Sequence, residues 1–128
     1  MRLLIPATAP ITDSIIGAAI RVHRALGPGL LESAYQTCLG HELELSGKSI
    51  RREVEIPIQY RGLVVTPGYR ADLLVDDQVI VEIKAVERIH PIHQAQVLTY
   101  LRATGLRTGL LINFNVQVLK DGLHRLVL

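Results

Sequence analysis

The run Val79-Ile80-Val81-Glu82-Ile83-Lys84 constrains this chain more than any other segment. Its β-branched first half reads as a core-bound strand, yet an acid and a base interrupt its second half. Upstream, Tyr69 to Val75 is again rich in β-formers, and Asp76-Asp77-Gln78 between the two runs is a turn signal, so a hairpin is the simplest reading. With those three residues as the loop, Val75 faces Val79 and Asp72 falls opposite Glu82, with Cβ atoms roughly 4.5 to 5.5 Å apart. Side chains alternate across a strand, so Glu82 and Lys84 share a face, which Asp72 joins only if the loop has an odd number of residues. Carboxylates at that separation repel each other unless a cation lies between them.

Two adjacent carboxylates beside a lysine form a hard-oxygen site suited to Mg²⁺ or Mn²⁺. Such an ion lowers the pKa of a bound water and neutralises charge developing on a phosphate oxygen, and the lysine can orient the attacking water or steady the phosphorane. Phosphodiester hydrolysis uses all three groups together. A Glu-Ile-Lys triplet is also common on solvated strands, and it is the core-bound setting that separates this one from them.

At 128 residues the chain fits one domain, residues 1–128, large enough to bury a core without disulfides. With 48% hydrophobic and 20% charged residues it reads as globular, and no apolar stretch approaches the roughly 20 residues of a membrane span. The opening Met1-Arg2-Leu3-Leu4-Ile5-Pro6 is too short for a secretory apolar core, so a cytoplasmic location is expected. The lone Cys38 lies in an apolar helical pattern and reads as a buried, reduced thiol.

A net charge of +2 is a weak pointer to nucleic acid, and placement matters more. Arg51-Arg52, Arg88 and Arg102 are candidates to line a phosphate-tracking groove, though scattered solubilising charge explains them equally well. Aromatic residues amount to 4% with no tryptophan, which argues against a base-stacking platform of the single-strand-binding kind, so contact with backbone phosphate is expected to dominate.

Thr12 or Asp13 can cap a first helix carrying Ile15, Ile16, Ala19, Ile20 and Leu26, ending near Gly27. After the break Gly27-Pro28-Gly29, a second amphipathic helix runs from Leu30 and Leu31 to about Gly47, completing an N-terminal helical hairpin. Ser49 to Tyr60 alternates as one strand, Arg61-Gly62 turns it into Leu63 to Thr66, and Pro67-Gly68 leads to the Asp72 strand. A helix from about Pro91 to Thr104, closed by Gly105, is the natural crossover to a buried strand over Arg107 to Phe114, which can then lie parallel to the Glu82 strand. Val116 to Leu128 reads as a last hairpin turning at Asp121-Gly122. This order predicts an α/β (α+β) fold, one mixed sheet flanked by helices. On the crossover helix, His93, Gln96 and Tyr100 share one face, as a solvated polar stripe or as part of a site.

Asp72, Glu82-x-Lys84 after a hairpin, and Gln96-x-x-x-Tyr100 on the next helix together resemble the PD-(D/E)xK nuclease superfamily, the last element being similar to its RecB-like branch. Gly29-Leu30-Leu31-Glu32-Ser33-Ala34-Tyr35 resembles the signature that names the GxxExxY protein family within it. The resemblance covers nearly the whole chain, including Val22-His23 and Gly109 to Phe114. It implies a restriction-endonuclease-like mixed β-sheet, divalent-metal dependence and nucleic-acid cleavage. By position, Asp72 and Glu82 match the metal-binding acids, the backbone carbonyl of Ile83 a further ligand, Lys84 the catalytic lysine, and Gln96 and Tyr100 the supporting pair. Glu32 matches an early-helix acid completing the metal or water network; on physical grounds it can equally be paired to a basic residue, with Tyr35 in the core. Ala71 stands where the literal motif has proline.

No nucleophile elbow, phosphate loop or dinucleotide-binding glycine pattern is present, and His90 and His93 lack the cysteine or second ligand pair of a zinc site. His23, on the apolar side of the first helix, reads as a hydrogen-bonded core residue. The expectation is a Mg²⁺- or Mn²⁺-dependent nuclease, acting on DNA more readily than RNA and able to pair as a homodimer. The alternative is a non-catalytic nucleic-acid or protein-interaction module on the same scaffold.

Overall fold

The computed structural model describes residues 8–128 apart from residue 67, so the reading of the first six residues, and that of Pro67, lies outside the described residues. In chain order the elements are α1 (Ala9–Leu26), α2 (Glu32–Leu45), β1 (Ile50–Glu55), β2 (Ile58–Tyr60), β3 (Leu63–Val65), β4 (Arg70–Val75), β5 (Val79–Lys84), α3 (Pro91–Thr104), β6 (Thr108–Asn113), a 3-10 turn (Leu119–Gly122) and β7 (Leu123–Val127). Five strands form one sheet in the order β1-β4-β5-β6-β7, and β2 and β3 form a separate small one. Among the described strands only β5 and β6 run parallel, joined by the α3 crossover; the other pairs are antiparallel. The expected mixed sheet flanked by helices is therefore observed, together with the α1–α2 hairpin.

The central strands bury both faces. Leu73, Val75, Val79, Val81, Ile83, Leu110 and Ile112 pack toward α1 and α2, whereas Leu74, Ile80 and Leu111 pack with Val97, Tyr100 and Leu101 of α3. This alternation follows from the two-residue period of a strand. The register Val75↔Val79, Leu74↔Ile80, Leu73↔Val81 is the one the three-residue loop predicts.

Four local expectations need correction. Helix α1 begins at Ala9 with Thr8 as its N-cap residue, so Thr12 and Asp13 lie inside it. Pro10 sits in the first turn, where a missing N–H leaves no helical bond unmade, and so does not delay the helix. Helix α2 begins at Glu32, leaving Leu31 77% exposed outside the core. Ser49 to Tyr60 is not one strand: Ile56 turns into the α3-side core and Pro57 has no N–H for a ladder, so β1 ends and β2 pairs with β3 instead. Val116 to Leu128 is not a hairpin, because its first arm is coil leading into the 3-10 turn and β7 pairs with β6.

Gly122 sets this last path. A Cβ there would collide with the Asn113 carbonyl, a backbone group that cannot swing aside. Gly122→Ala is expected to destabilise the protein by roughly 1–3 kcal/mol through forced backbone displacement, read as a lower urea midpoint with an unchanged slope. No helix among the described residues is long and apolar enough to cross a membrane.

Candidate active site

Strands β4 and β5 stop pairing in the ordinary way just past Leu73↔Val81, where two carboxylates take over the backbone donors. The Asp72 N–H donates to Glu82 Oε1 at 2.8 Å, and the Ile83 N–H donates to Asp72 Oδ2 at 2.7 Å. This reciprocal arrangement holds the two acids together on the sheet. On the other side, β1 pairs with β4 at Arg52↔Leu73 and Val54↔Ala71, and the intervening Glu53 adopts φ +51°, a conformation uncommon outside glycine. The Gln36 amide donates to Glu53 Oε1 at 2.9 Å and to the Asp72 carbonyl at 3.3 Å. Asp72 is thus fastened through its N–H, its carbonyl and its carboxylate.

Burial shapes the charge of this pair. Glu82 is 4% exposed, and desolvation, followed by the neighbouring Asp72 charge, pushes its carboxyl up to about 8. Asp72 is pushed up to about 6, again chiefly by burial, while the Ile83 N–H and Lys84 pull the other way and Glu53 and Glu32 add to the rise. No ion pair among the described residues reaches Asp72, Glu82 or Lys84. A buried Glu82 and a half-buried Asp72, held side by side without such a partner, are a donor set of the kind that suits a hard divalent ion.

Lys84, the last residue of β5, opens into a cleft of about 450 Å³ that it lines with Tyr69, Ile92, His93, Ala95, Gln96, Thr99 and Tyr100. The face of α3 expected to be a polar stripe therefore turns toward the lysine. Gln96 Nε2 donates to the Tyr100 hydroxyl at 3.0 Å, and Tyr100 is almost fully buried. Burial first, then the Glu82 charge, pushes the phenol up to about 12, so it stays protonated beside the acids. His93 Nδ1 accepts the His90 N–H at 3.0 Å, which leaves Nε2 to carry the neutral ring's proton. Its pKa is lowered by burial and then by Lys84.

Glu32 stands exposed at the start of α2, close enough for its charge to raise both Asp72 and Glu82. Even so, among the described residues no three His, Cys, Asp or Glu side chains are grouped to hold an ion. Arg51 pairs with Asp77 at 3.4 Å and Arg52 with Glu44 at 2.6 Å, so both guanidiniums are engaged elsewhere. Arg88 is exposed in the bend after Lys84, and Arg102 lines a second cleft with Pro57, Ile58 and Gln59 that meets the first at Thr99.

Residues 9–126 match the family model described as the PD-(D/E)XK nuclease superfamily. The chain belongs to that superfamily. Neither a curated protein nor a solved structure matches it significantly. The fold, with three helices around a five-stranded mixed sheet, is consistent with the restriction-endonuclease-like architecture of the superfamily, whose members are typically nucleases using divalent metals on nucleic acid.

Sequence reasoning missed Gln36, one turn beyond Glu32, and Asn113. The Asn113 side chain accepts from the Val86 and Asn115 N–H groups and donates to the Val86 carbonyl, clamping the chain just after Lys84. Its signal was a single amide in the otherwise apolar run Gly109 to Phe114. His23 was read correctly: it is buried, with Nε2 2.7 Å from the Val116 carbonyl. Cys38 is only partly buried.

Tyr35 shows why its motif has a tyrosine. Its hydroxyl donates to the Gly27 carbonyl at 2.6 Å and accepts the Leu30 N–H at 3.1 Å, while its ring stacks on Phe114 with centroids 4.5 Å apart. The loop that delivers Glu32 is thereby tied to the core. Tyr35→Phe is expected to lose about 1–3 kcal/mol by orphaning both groups, detected as a lower melting temperature and faster amide exchange at Leu30.

Proposed function

We propose that the protein is a divalent-metal-dependent nuclease that hydrolyses phosphodiester bonds, preferring DNA to RNA. In this reading Asp72, Glu82 and the backbone carbonyl of Ile83 hold Mg²⁺ or Mn²⁺, with Glu32 as an outer contributor. The observation that carries it is the hydrogen-bonded Asp72–Glu82 pair, Glu82 buried and Asp72 half-buried, whose carboxyls are both raised chiefly by burial, Glu82 also by the Asp72 charge, with no ion-pair partner on either among the described residues. A bound divalent ion would supply an acidified water and charge neutralisation at the phosphate. Lys84, two residues beyond Glu82 on the same face of β5 and lining the cleft against α3, can hold the attacking water or a phosphate oxygen by a charge-assisted hydrogen bond. Tyr100, kept protonated by burial and then by the Glu82 charge, and oriented by the Gln96 amide, supports the acids from the α3 side. Assignment to the GxxExxY family, and cytoplasmic action as a domain covering residues 1–128, belong to the same proposal.

A non-catalytic binding module is the second reading, favoured by the absence of a three-ligand group among the described residues. Incubation with plasmid, linear, single-stranded and branched substrates in Mg²⁺ or Mn²⁺ separates the two. Metal-dependent cleavage lost in Asp72→Ala supports the enzyme, whereas cleavage that persists in the variant points to another site or a contaminant. A wild-type protein whose melting temperature ignores millimolar Mn²⁺ favours the module.

A further inference from the structure

The cleft beside Lys84 has a division of character that the hydrolytic site itself does not require. Its polar groups, Lys84, His93 and Gln96, come from the end of β5 and one face of α3. Tyr69, on the segment entering β4, and Ile92, in the first turn of α3, line the same cleft yet remain 47% and 71% exposed. Large apolar side chains left in water next to a polar site are where an apolar ligand surface gains most from binding. The cleft's size, about 450 Å³, falls in the range of small-ligand sites and is far too small for a helical duplex.

We infer that this cleft admits one unstacked nucleobase against Tyr69 and Ile92, which makes single-stranded or frayed nucleic acid the substrate class. The inference rests on the nuclease reading above, since it takes the phosphate beside the base to lie at Lys84. A base has two apolar faces and a polar edge. Tyr69 offers a ring for stacking, while the fixed His93 Nε2–H and the Gln96 amide offer polar groups to the edge. A base paired within a duplex presents neither face to such a cleft and would first have to be flipped out. The exposed Arg102, in the adjoining cleft past Thr99, is placed to meet a phosphate farther along the same strand.

The test measures binding of a short single-stranded oligodeoxynucleotide and of the matching blunt duplex in an Asp72→Asn background, which suppresses cleavage and removes one repelling charge. The single strand is expected to bind at least about 10-fold tighter than the duplex. Tyr69→Ala should weaken the single strand about 5- to 150-fold, the range of one lost stacking contact. Tyr69→Phe, which keeps the ring, should stay within about 2-fold of the parent. Aminopurine in the strand should be quenched on binding to the parent and to Tyr69→Phe but not to Tyr69→Ala, a signature that a merely structural tyrosine would not give. Equal binding of duplex and single strand, indifferent to Tyr69→Ala, overturns the inference and leaves the nuclease reading standing. Failure of every nucleic acid to bind overturns both.

Discussion

Lys84→Ala is expected to lower turnover roughly 10²- to 10⁴-fold, the range seen when one positioned proton-transfer or charge-stabilising group is removed. The side chain is half-buried at the mouth of the cleft and has no ion-pair partner among the described residues, so its loss orphans no buried group. The fold should therefore survive, and the measurement is single-turnover cleavage beside a urea titration. Removing a positive charge also relieves His93, whose pKa Lys84 holds down, so the His93 ring should titrate at higher pH in the variant by NMR. A variant that cuts at the wild-type rate would remove Lys84 from the chemistry.

The metal-free protein should lose stability as pH rises from about 4 to about 8, by a few kcal/mol. Asp72 and Glu82 have folded-state values near 6 and 8, both above the ordinary 3.8 and 4.5, so in that window the folded state binds more protons than the unfolded chain. A raised value stabilises the fold below the unfolded value and loses that contribution as pH climbs through the folded one. Above about pH 8 both acids are charged and repel at full strength. Asp72→Asn should flatten the slope by removing one titrating charge and the repulsion it exerts on Glu82. Millimolar Mn²⁺ should oppose it, because an ion competes with protons for the same oxygens and gains as they leave. Urea midpoints across this range, with and without Mn²⁺, check the sign. A metal-free stability that rises from pH 4 to 8 would mean that the acids are not buried together.

Much of the site was legible because strands and helices have fixed periods. The three-residue turn at Asp76-Asp77-Gln78 was enough to set Asp72 against Glu82, and the three- and four-residue steps of a helix were enough to put His93, Gln96 and Tyr100 on one side of α3. The partners of Asp72 were not legible. Gln36 comes from α2, and its contact with Glu53 and the Asp72 carbonyl depends on how that helix crosses the sheet. The partners of Arg51 and Arg52, candidates for a phosphate groove, were not legible either: Asp77 and Glu44 reach them in exposed pairs. The break at Ile56-Pro57 likewise needed a third dimension, since Ile56, whose N–H still donates to the Tyr69 carbonyl, buries its side chain in a core shared by the sheet and α3.

Although the break at Ile56-Pro57 and the path after Val116 escaped it, the sequence alone specified the three helices, the β4–β5 hairpin with its two acids across a tight turn, and a helical crossover that lets β5 and β6 run parallel. These follow from interactions between residues close along the chain, or from patterns with a period of two or 3.6. Only the tertiary structure decided how the acids are charged and what surrounds the lysine. Desolvation depends on everything packed within a few ångströms of a group, and here the packing of α3 on the sheet leaves Glu82 buried near Tyr100 while Lys84, two residues on, lines the cleft.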